Sequence, residues 1–322
     1  IRDSGYVDDF HGIDTAFNDS DPFDGQGHGT HVAGTIGAVG NNGIGVASIN
    51  WDVQLMALKF LNDSGSGATS DAIEALDYMV RMRRDYDVNV VASNNSWSGG
   101  GYSQGLVDAI QAGVEEGVLF VAAAGNDGQN NDAVPSYPSS YGLDGIISVA
   151  ATDRFDQLAY FSNYGAQQVD LSAPGVSILS TTPGGNYSTM NGTSMATPHV
   201  TGAVALLASA APGAGVMELK DAILNSAEPL PALQGKTLTE GRLNVARALR
   251  ELGDPGDHFA VEVAAGDTLL LQTWTPGRYN ELDPIIELFD TNGALVATDD
   301  NGAADLRNAY LSHTASQDGT YQ

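Results

Sequence analysis

The chain has 322 residues, 42% of them apolar, no cysteine, and a formal charge of −27 from 40 acidic against 13 basic side chains. That length suits one large α/β domain with something smaller beside it, and the apolar fraction is enough to fill a core. Without cysteine there is no disulfide framework, thiol catalysis or cysteine-based zinc site; the acidic balance argues against nucleic acid or an anionic membrane as partner, and no apolar run approaches the ~18 residues of a membrane span.

In chain order, Thr30–Ala38 reads as a helix continuing from His28, and Val53–Phe60 as a short strand. Ser70–Val80 opens on a serine cap with acid in its first turn, and its apolar residues recur at three-to-four spacing, which predicts an amphipathic helix. Val88–Ala92 predicts a strand, Leu106–Glu116 a helix, Val118–Ala124 a fully buried strand and Ile146–Ala151 another. Strands alternating with helices imply a parallel sheet covered on both faces. Ligands of such sheets bind beyond the carboxyl ends of the strands, where Ser96 and Asn126 lie. Ser194–Ala211 is apolar nearly all round, as a central helix is, and Pro198 comes early enough that its missing N–H costs little. Met217–Ser226 and Gly241–Leu249 follow as helices.

Leu252–Asp257 reads as a linker by composition. From His258 the period changes to two, with Phe259, Val261 and Val263 followed by Leu269 and Leu271, which predicts an all-β module. Its hairpin turns are expected at Asp290–Gly293 and Asp299–Gly302. The expected domains are thus 1–252, a linker over 253–257, and 258–322.

Two glycine-flanked segments carry chemistry. Gly27-His28-Gly29-Thr30-His31 offers an imidazole, and Asn191-Gly192-Thr193-Ser194-Met195-Ala196-Thr197-Pro198-His199 offers a hydroxyl at a helix start, where unpaired N–H groups favour a developing oxyanion. A serine hydroxyl is a poor nucleophile until an imidazole takes its proton. Together with Asn94-Asn95-Ser96-Trp97-Ser98-Gly99-Gly100 and Ala122-Ala123-Ala124-Gly125-Asn126-Asp127-Gly128, these blocks resemble, in order, the subtilisin-like serine peptidases, the subtilases.

The resemblance implies a secreted serine endopeptidase with a subtilisin-like α/β fold. In it His28 is the general base, Ser194 the nucleophile, and the Asn126 side chain with the Ser194 N–H the oxyanion hole. The family's acid stands in an Asp-Ser/Thr-Gly motif after a hydrophobic strand. Asp3-Ser4-Gly5 has the letters but only Ile1 and Arg2 before it, and Gly5–Gly12 resembles the loop between acid and base, so the triad aspartate is expected upstream of Ile1, with a signal peptide and propeptide further upstream. The segment from His258 resembles the pre-peptidase C-terminal (PPC) β-sandwich, expected to be incomplete at Gln322.

By the same resemblance an extended peptide lies between the edge segment Ser64-Gly65-Ser66-Gly67 and the strand at Ser96-Trp97-Ser98, bound mainly through its main chain. The first pocket is walled by Ser96–Ser98 and Gly125–Asp127, with Ser136 near its base, and suits large apolar or aromatic side chains; Trp97 reads equally as a packed wall. The loop Val39–Val46 resembles the family's calcium loop, with Asn42, Ile44 and Val46 as oxygen ligands, and equally a plain turn. Protein or peptide substrates, a monomer and no organic cofactor complete the expectation. His31 and His199 read as core groups. Two other readings stand beside it. An α/β-hydrolase esterase needs acid and histidine both after the serine, and His28 precedes it. A catalytically inactive subtilase-fold binding protein is motivated by the missing aspartate, against the joint retention of His28, Asn126 and Ser194.

Overall fold

In the computed structural model, residues 6, 8–253, 260–273, 285–299 and 309–321 are described. The chain divides into two compact units, Ile1–Gly253 and Asp254–Gln322. The first is built around the runs that read as buried strands. β1 (Gly12–Asp14), α1 (His28–Gly37), β2 (Ala57–Lys59), α2 (Thr69–Tyr86), β3 (Ala92–Asn95), α3 (Gln104–Glu115), β4 (Leu119–Ala123) and β5 (Ile146–Thr152) come first. β6 (Leu171–Pro174), β7 (Ile178–Thr182), β8 (Asn186–Met190), α4 (Thr193–Ala210), α5 (Val216–Asn225), β9 (Glu228–Pro229), β10 (Gly241–Arg242) and α6 (Val245–Gly253) complete it.

One sheet runs β3-β4-β5-β6-β10-β9, parallel except for β9. Every residue of β4 and β5 is buried, because helices cover both faces. On one face Leu119, Val121, Ile147, Val149 and Leu171 pack with α4, α5 and α6. On the other, Phe120, Ala122 and Ile146 meet Leu76, Met79 and Val80 of α2 and Leu106 and Ile110 of α3. β1 and β2 form a separate parallel pair, Ile13 opposite Leu58.

Element ends depart from the sequence expectation for local reasons. The strand expected over 88–92 lies at 92–95, because the Val88 N–H closes the end of α2 by donating to Met82 O at 3.1 Å. α2 begins at Thr69 rather than after a Ser70 cap: the Asp71 carboxylate reaches back to the Ala68 N–H at 3.2 Å. The helix expected over 241–249 starts at Val245. Arg242 is drawn into the sheet opposite Ser172, and Asn244 Oδ1 caps the helix by accepting from Arg247 N at 3.0 Å. The strand expected over 53–60 is ordered as such only at 57–59. The β7–β8 hairpin turns at Pro183-Gly184-Gly185.

All three lysines are engaged. Lys59 Nζ lies 2.6 Å from Asp14 Oδ2 and 4.3 Å from the Phe17 ring centre. Lys220 Nζ donates to the carbonyls of Asp144 (2.8 Å) and Ile146 (2.7 Å), with Asp170 Oδ1 at 3.9 Å. Lys236 Nζ lies 4.1 Å from the Tyr164 ring centre. Among the described residues no helix is long and apolar enough to cross a membrane.

The second unit is antiparallel: β11 (Val261–Val263) pairs with β16 (Gly319–Tyr321), β12 (Thr268–Gln272) with β15 (Tyr310–Thr314), and β13 (Ile286–Phe289) with β14 (Leu295–Asp299). Leu269, Leu288, Leu311, Ala315 and Tyr321 form its core. The turn expected at Asp290–Gly293 joins β13 to β14, with Asp290 Oδ1 accepting from Asn292 N and Ala294 N. Of the other expected turn, Asp300, Asn301 and Gly302 lie outside the described residues.

Candidate active site

His28 is the first residue of α1, and the start of that helix is organised by a side chain not singled out in the sequence. Gly27 takes φ 98°, open to glycine. The Asp24 carboxylate then accepts from the N–H groups of Gln26, Gly27 and Thr30 and from Thr30 Oγ1, at 2.7–3.0 Å. Burial alone would raise the Asp24 carboxyl; the hydrogen bonds from Gly27, Thr30 and Gln26 outweigh it and hold the group below its ordinary value. Burial pushes the His28 imidazole below its ordinary value, and the nearby Asp24 charge opposes that fall. Low basicity keeps His28 neutral, the form that can accept a proton. None of the described residues hydrogen-bonds to its imidazole. Asp3 lies outside the described residues.

Ser194 is the second residue of α4, the helix that threads the centre of the unit against β3, β4, β5, β6 and α1. Pro198 stands in the second turn rather than the first. It lacks the N–H that would donate to the Ser194 carbonyl four residues back, and Ser96 Oγ donates to that oxygen instead, at 2.8 Å. In return Ser194 Oγ donates to Ser96 O at 3.1 Å. Asn94 Nδ2 donates to Ser96 Oγ (2.9 Å), and Thr201 Oγ1 to Asn94 Oδ1 (2.9 Å). The nucleophile segment and the segment just beyond β3 are thereby locked together.

Asn126 lies just past β4 with its side chain exposed. Its Oδ1 accepts from Thr193 N (2.9 Å) and Thr193 Oγ1 (3.0 Å). With the oxygen so held, the amide NH2 is left to face the start of α4, and a Cβ on Gly192 would stand 3.8 Å from Nδ2. A hydroxyl at a helix start beside a fixed amide donor is an arrangement suited to acyl transfer.

The substrate-segment residues are placed as follows. Ser64 and Gly65 belong to a tight turn. Asn62 Oδ1 accepts from Ser64 N, Ser64 Oγ and Ser66 N at 2.6–3.2 Å, and Asn62 N donates to Ser66 O at 2.9 Å. Trp97 packs edge-on against Phe60, centroids 4.9 Å apart, and its Nε1 donates to Asn95 Oδ1; it is a packed wall. Ser98 is exposed. Gly125 and Ser136 adjoin, since a Cβ on Gly125 would stand 3.1 Å from Ser136 Oγ.

His31 is fully buried and its Nε2 lies within 3.0–3.1 Å of the Ile178 and Ser188 carbonyls, bridging α1 to the β7–β8 hairpin. His199 Nδ1 lies 2.9 Å from Met195 O. In the loop at 39–46, Asn42 Oδ1 accepts from Ile44 N at 2.9 Å. Among the described residues no hydrogen bond is made to the carbonyls of Ile44 or Val46, oxygens of the neutral kind that calcium takes. No cluster of three His, Cys, Asp or Glu among the described residues could hold a metal. Asp24, Thr193 and the Ser96–Ser194 exchange escape sequence reasoning. An aspartate four residues before a helical histidine was the one available signal.

The Subtilase family model matches residues 1–260. The thermophilic serine proteinase of Bacillus sp. (strain AK1) is 39% identical over 238 residues, 74% of this chain and 56% of that protein. Thermitase of Thermoactinomyces vulgaris is 37% identical over 239 residues, 74% and 80% respectively, and Subtilisin Savinase of Lederbergia lenta 41% over 207, 64% and 72%. The chain thus spans little more than half the length of the first of these relatives. Among solved structures, a cold-adapted subtilisin-like serine proteinase superposes with a TM-score of 0.60 at 34% identity, covering 72% of this chain and 78% of that one. Family model, relatives and fold agree: the chain belongs to the subtilase family of serine endopeptidases.

Proposed function

We propose that the protein is a secreted endopeptidase that cleaves peptide bonds through an acyl-enzyme on Ser194. His28 takes the proton from Ser194 Oγ as that oxygen attacks the peptide carbonyl. The Asn126 amide and the Ser194 N–H receive the oxyanion; His28 then protonates the departing amine, and water, activated by the same imidazole, releases the acyl group. The observation that carries this reading is the double hydrogen bond from Thr193 to Asn126 Oδ1, which leaves only the donor end of the amide free beside the nucleophile. The acid that orients His28 is to be sought outside the described residues, since Asp24 is consumed in capping α1.

The substrate is an extended peptide between the segments at 64–67 and 96–98, with a large apolar side chain against Gly125 and Ser136. Asn42, Ile44 and Val46 would hold a calcium ion that rigidifies their loop, with no part in the chemistry. The β unit from 258 onward is a PPC-type module, and the enzyme acts as a monomer released from a propeptide. A fluorophosphonate should label the full-length protein at Ser194, and label and casein cleavage should both vanish in Ser194→Ala. Cleavage that survives this substitution overturns the assignment.

A further inference from the structure

Asn126 must present its amide within about 3 Å of the developing oxyanion, yet it stands on an exposed loop, residues 126–129. Exposed loops open readily unless something buried holds them. Here that something is a pair of carboxamides. Asn163, 2% exposed, bonds the loop on both sides of Asn126: its N–H donates to Gly125 O (2.9 Å), and its Oδ1 accepts from Asp127 N (2.9 Å) and Gln129 N (3.1 Å). Asn163 Nδ2 donates to Asn131 Oδ1 (3.0 Å), and Asn131, fully buried, donates from Nδ2 to Ala124 O just past β4 (2.9 Å). The bonds thus close on Ala124, the neighbour of Gly125 from which they started.

The fit is mutual. Gly125 takes φ 113°, and a Cβ there would stand 2.4 Å from Asn163 Nδ2, so the Asn163 amide occupies the space that any side chain at 125 would need. The Thr193 bonds fix the Asn126 side chain; Asn163 fixes the peptide groups from which that side chain hangs.

Resting on the oxyanion role proposed above for Asn126, we infer that Asn163, braced by Asn131, is a positioning residue for the reaction: it sets where the Asn126 amide meets the oxyanion. It does not touch substrate. Its effect must therefore pass through Asn126, and a merely structural role would not.

The test is a double-mutant cycle in the full-length protein, reading kcat and KM on a chromogenic peptide. Asn163→Ala should lower kcat by about tenfold or more with KM within about twofold, because a displacement near 1 Å of a transition-state donor is felt in turnover. In an Asn126→Ala background the same change should alter kcat by less than about twofold. An equal loss in both backgrounds, or an unaltered kcat in the single variant, overturns the inference. Should Asn163→Ala fail to fold, as judged by circular dichroism, Asn163→Ser goes through the same cycle, and the same two results overturn the inference. If Asn126→Ala alone leaves kcat intact, the oxyanion assignment has failed and the positioning role falls with it; that single variant separates the two failures.

Discussion

Replacing Gly125 by alanine puts a methyl group into a crowded point of the loop that carries Asn126. The new Cβ would stand 2.4 Å from Asn163 Nδ2, 3.0 Å from Asn163 Cγ and 3.1 Å from Ser136 Oγ, on a backbone at φ 113°. Holding a non-glycine residue in such a region costs about 1–3 kcal/mol. Asn163 cannot yield without breaking a bond to Asp127, Gln129 or Asn131, and one buried group left unpaired adds about 1–3 kcal/mol. The sum, about 2–6 kcal/mol, is a large part of the roughly 5–15 kcal/mol by which a domain is stable. At about 2–4 °C per kcal/mol for a domain of this size, the melting temperature should fall by roughly 10 °C. Melting followed by circular dichroism in the Ser194→Ala background, which prevents self-digestion, measures it. A fall under about 2 °C would mean that the loop relaxes freely, and would refute the idea that Asn163 is rigidly seated.

Three further outcomes are expected. Asn126→Ala should lower kcat by about 10² or more with KM scarcely moved, the size of the effect of removing an oxyanion-hole amide donor; a rise in KM at unchanged kcat would make Asn126 a binding group. Asp24→Asn removes the charge that opposes the fall in His28 basicity, so the acid limb of kcat/KM should move to lower pH; movement to higher pH contradicts this. Burial raises the Asp170 carboxyl despite Lys220 and the Ser148 N–H. The fold then binds more protons than the unfolded chain, so stability present at low pH is lost as pH rises through the folded value. The melting temperature relative to Asp170→Asn should accordingly decline as pH rises above the ordinary carboxylate range, and a relative gain there would refute the sign.

Periodicity and buried runs made α2, α3, β4, β5 and α4 legible in the sequence, since each is governed by one hydrophobic face or by full burial. Elements decided by a partner were not. β10 is two residues, defined by the pairing of Arg242 with Ser172, 70 positions away in a loop-rich stretch of chain. The strands of the β7–β8 hairpin are rich in serine and threonine and carry no apolar alternation. In the site, His28, Asn126 and Ser194 stand in glycine-flanked motifs that are visible because the backbone there needs glycine. Asn163 and Asn131 have no such signature. Both are ordinary polar letters in loops, and their bonds to the loop at Asn126 and to each other exist only once the chain is folded. Pro198 was visible, but the consequence of its missing N–H, a vacancy that Ser96 fills, needs three dimensions.

The engagement of all three lysines bears on how this protein can be handled. An acylating dye or an aldehyde-bearing support has only Lys59, Lys220 and Lys236 as side-chain targets. Acylation at the first would separate β2 from Asp14 of β1, and at the second would strip α5 of its hold on the carbonyls of Asp144 and Ile146. Amine coupling therefore attacks the scaffold before it decorates the surface. The 40 acidic side chains offer carbodiimide chemistry a larger set of candidate attachment points.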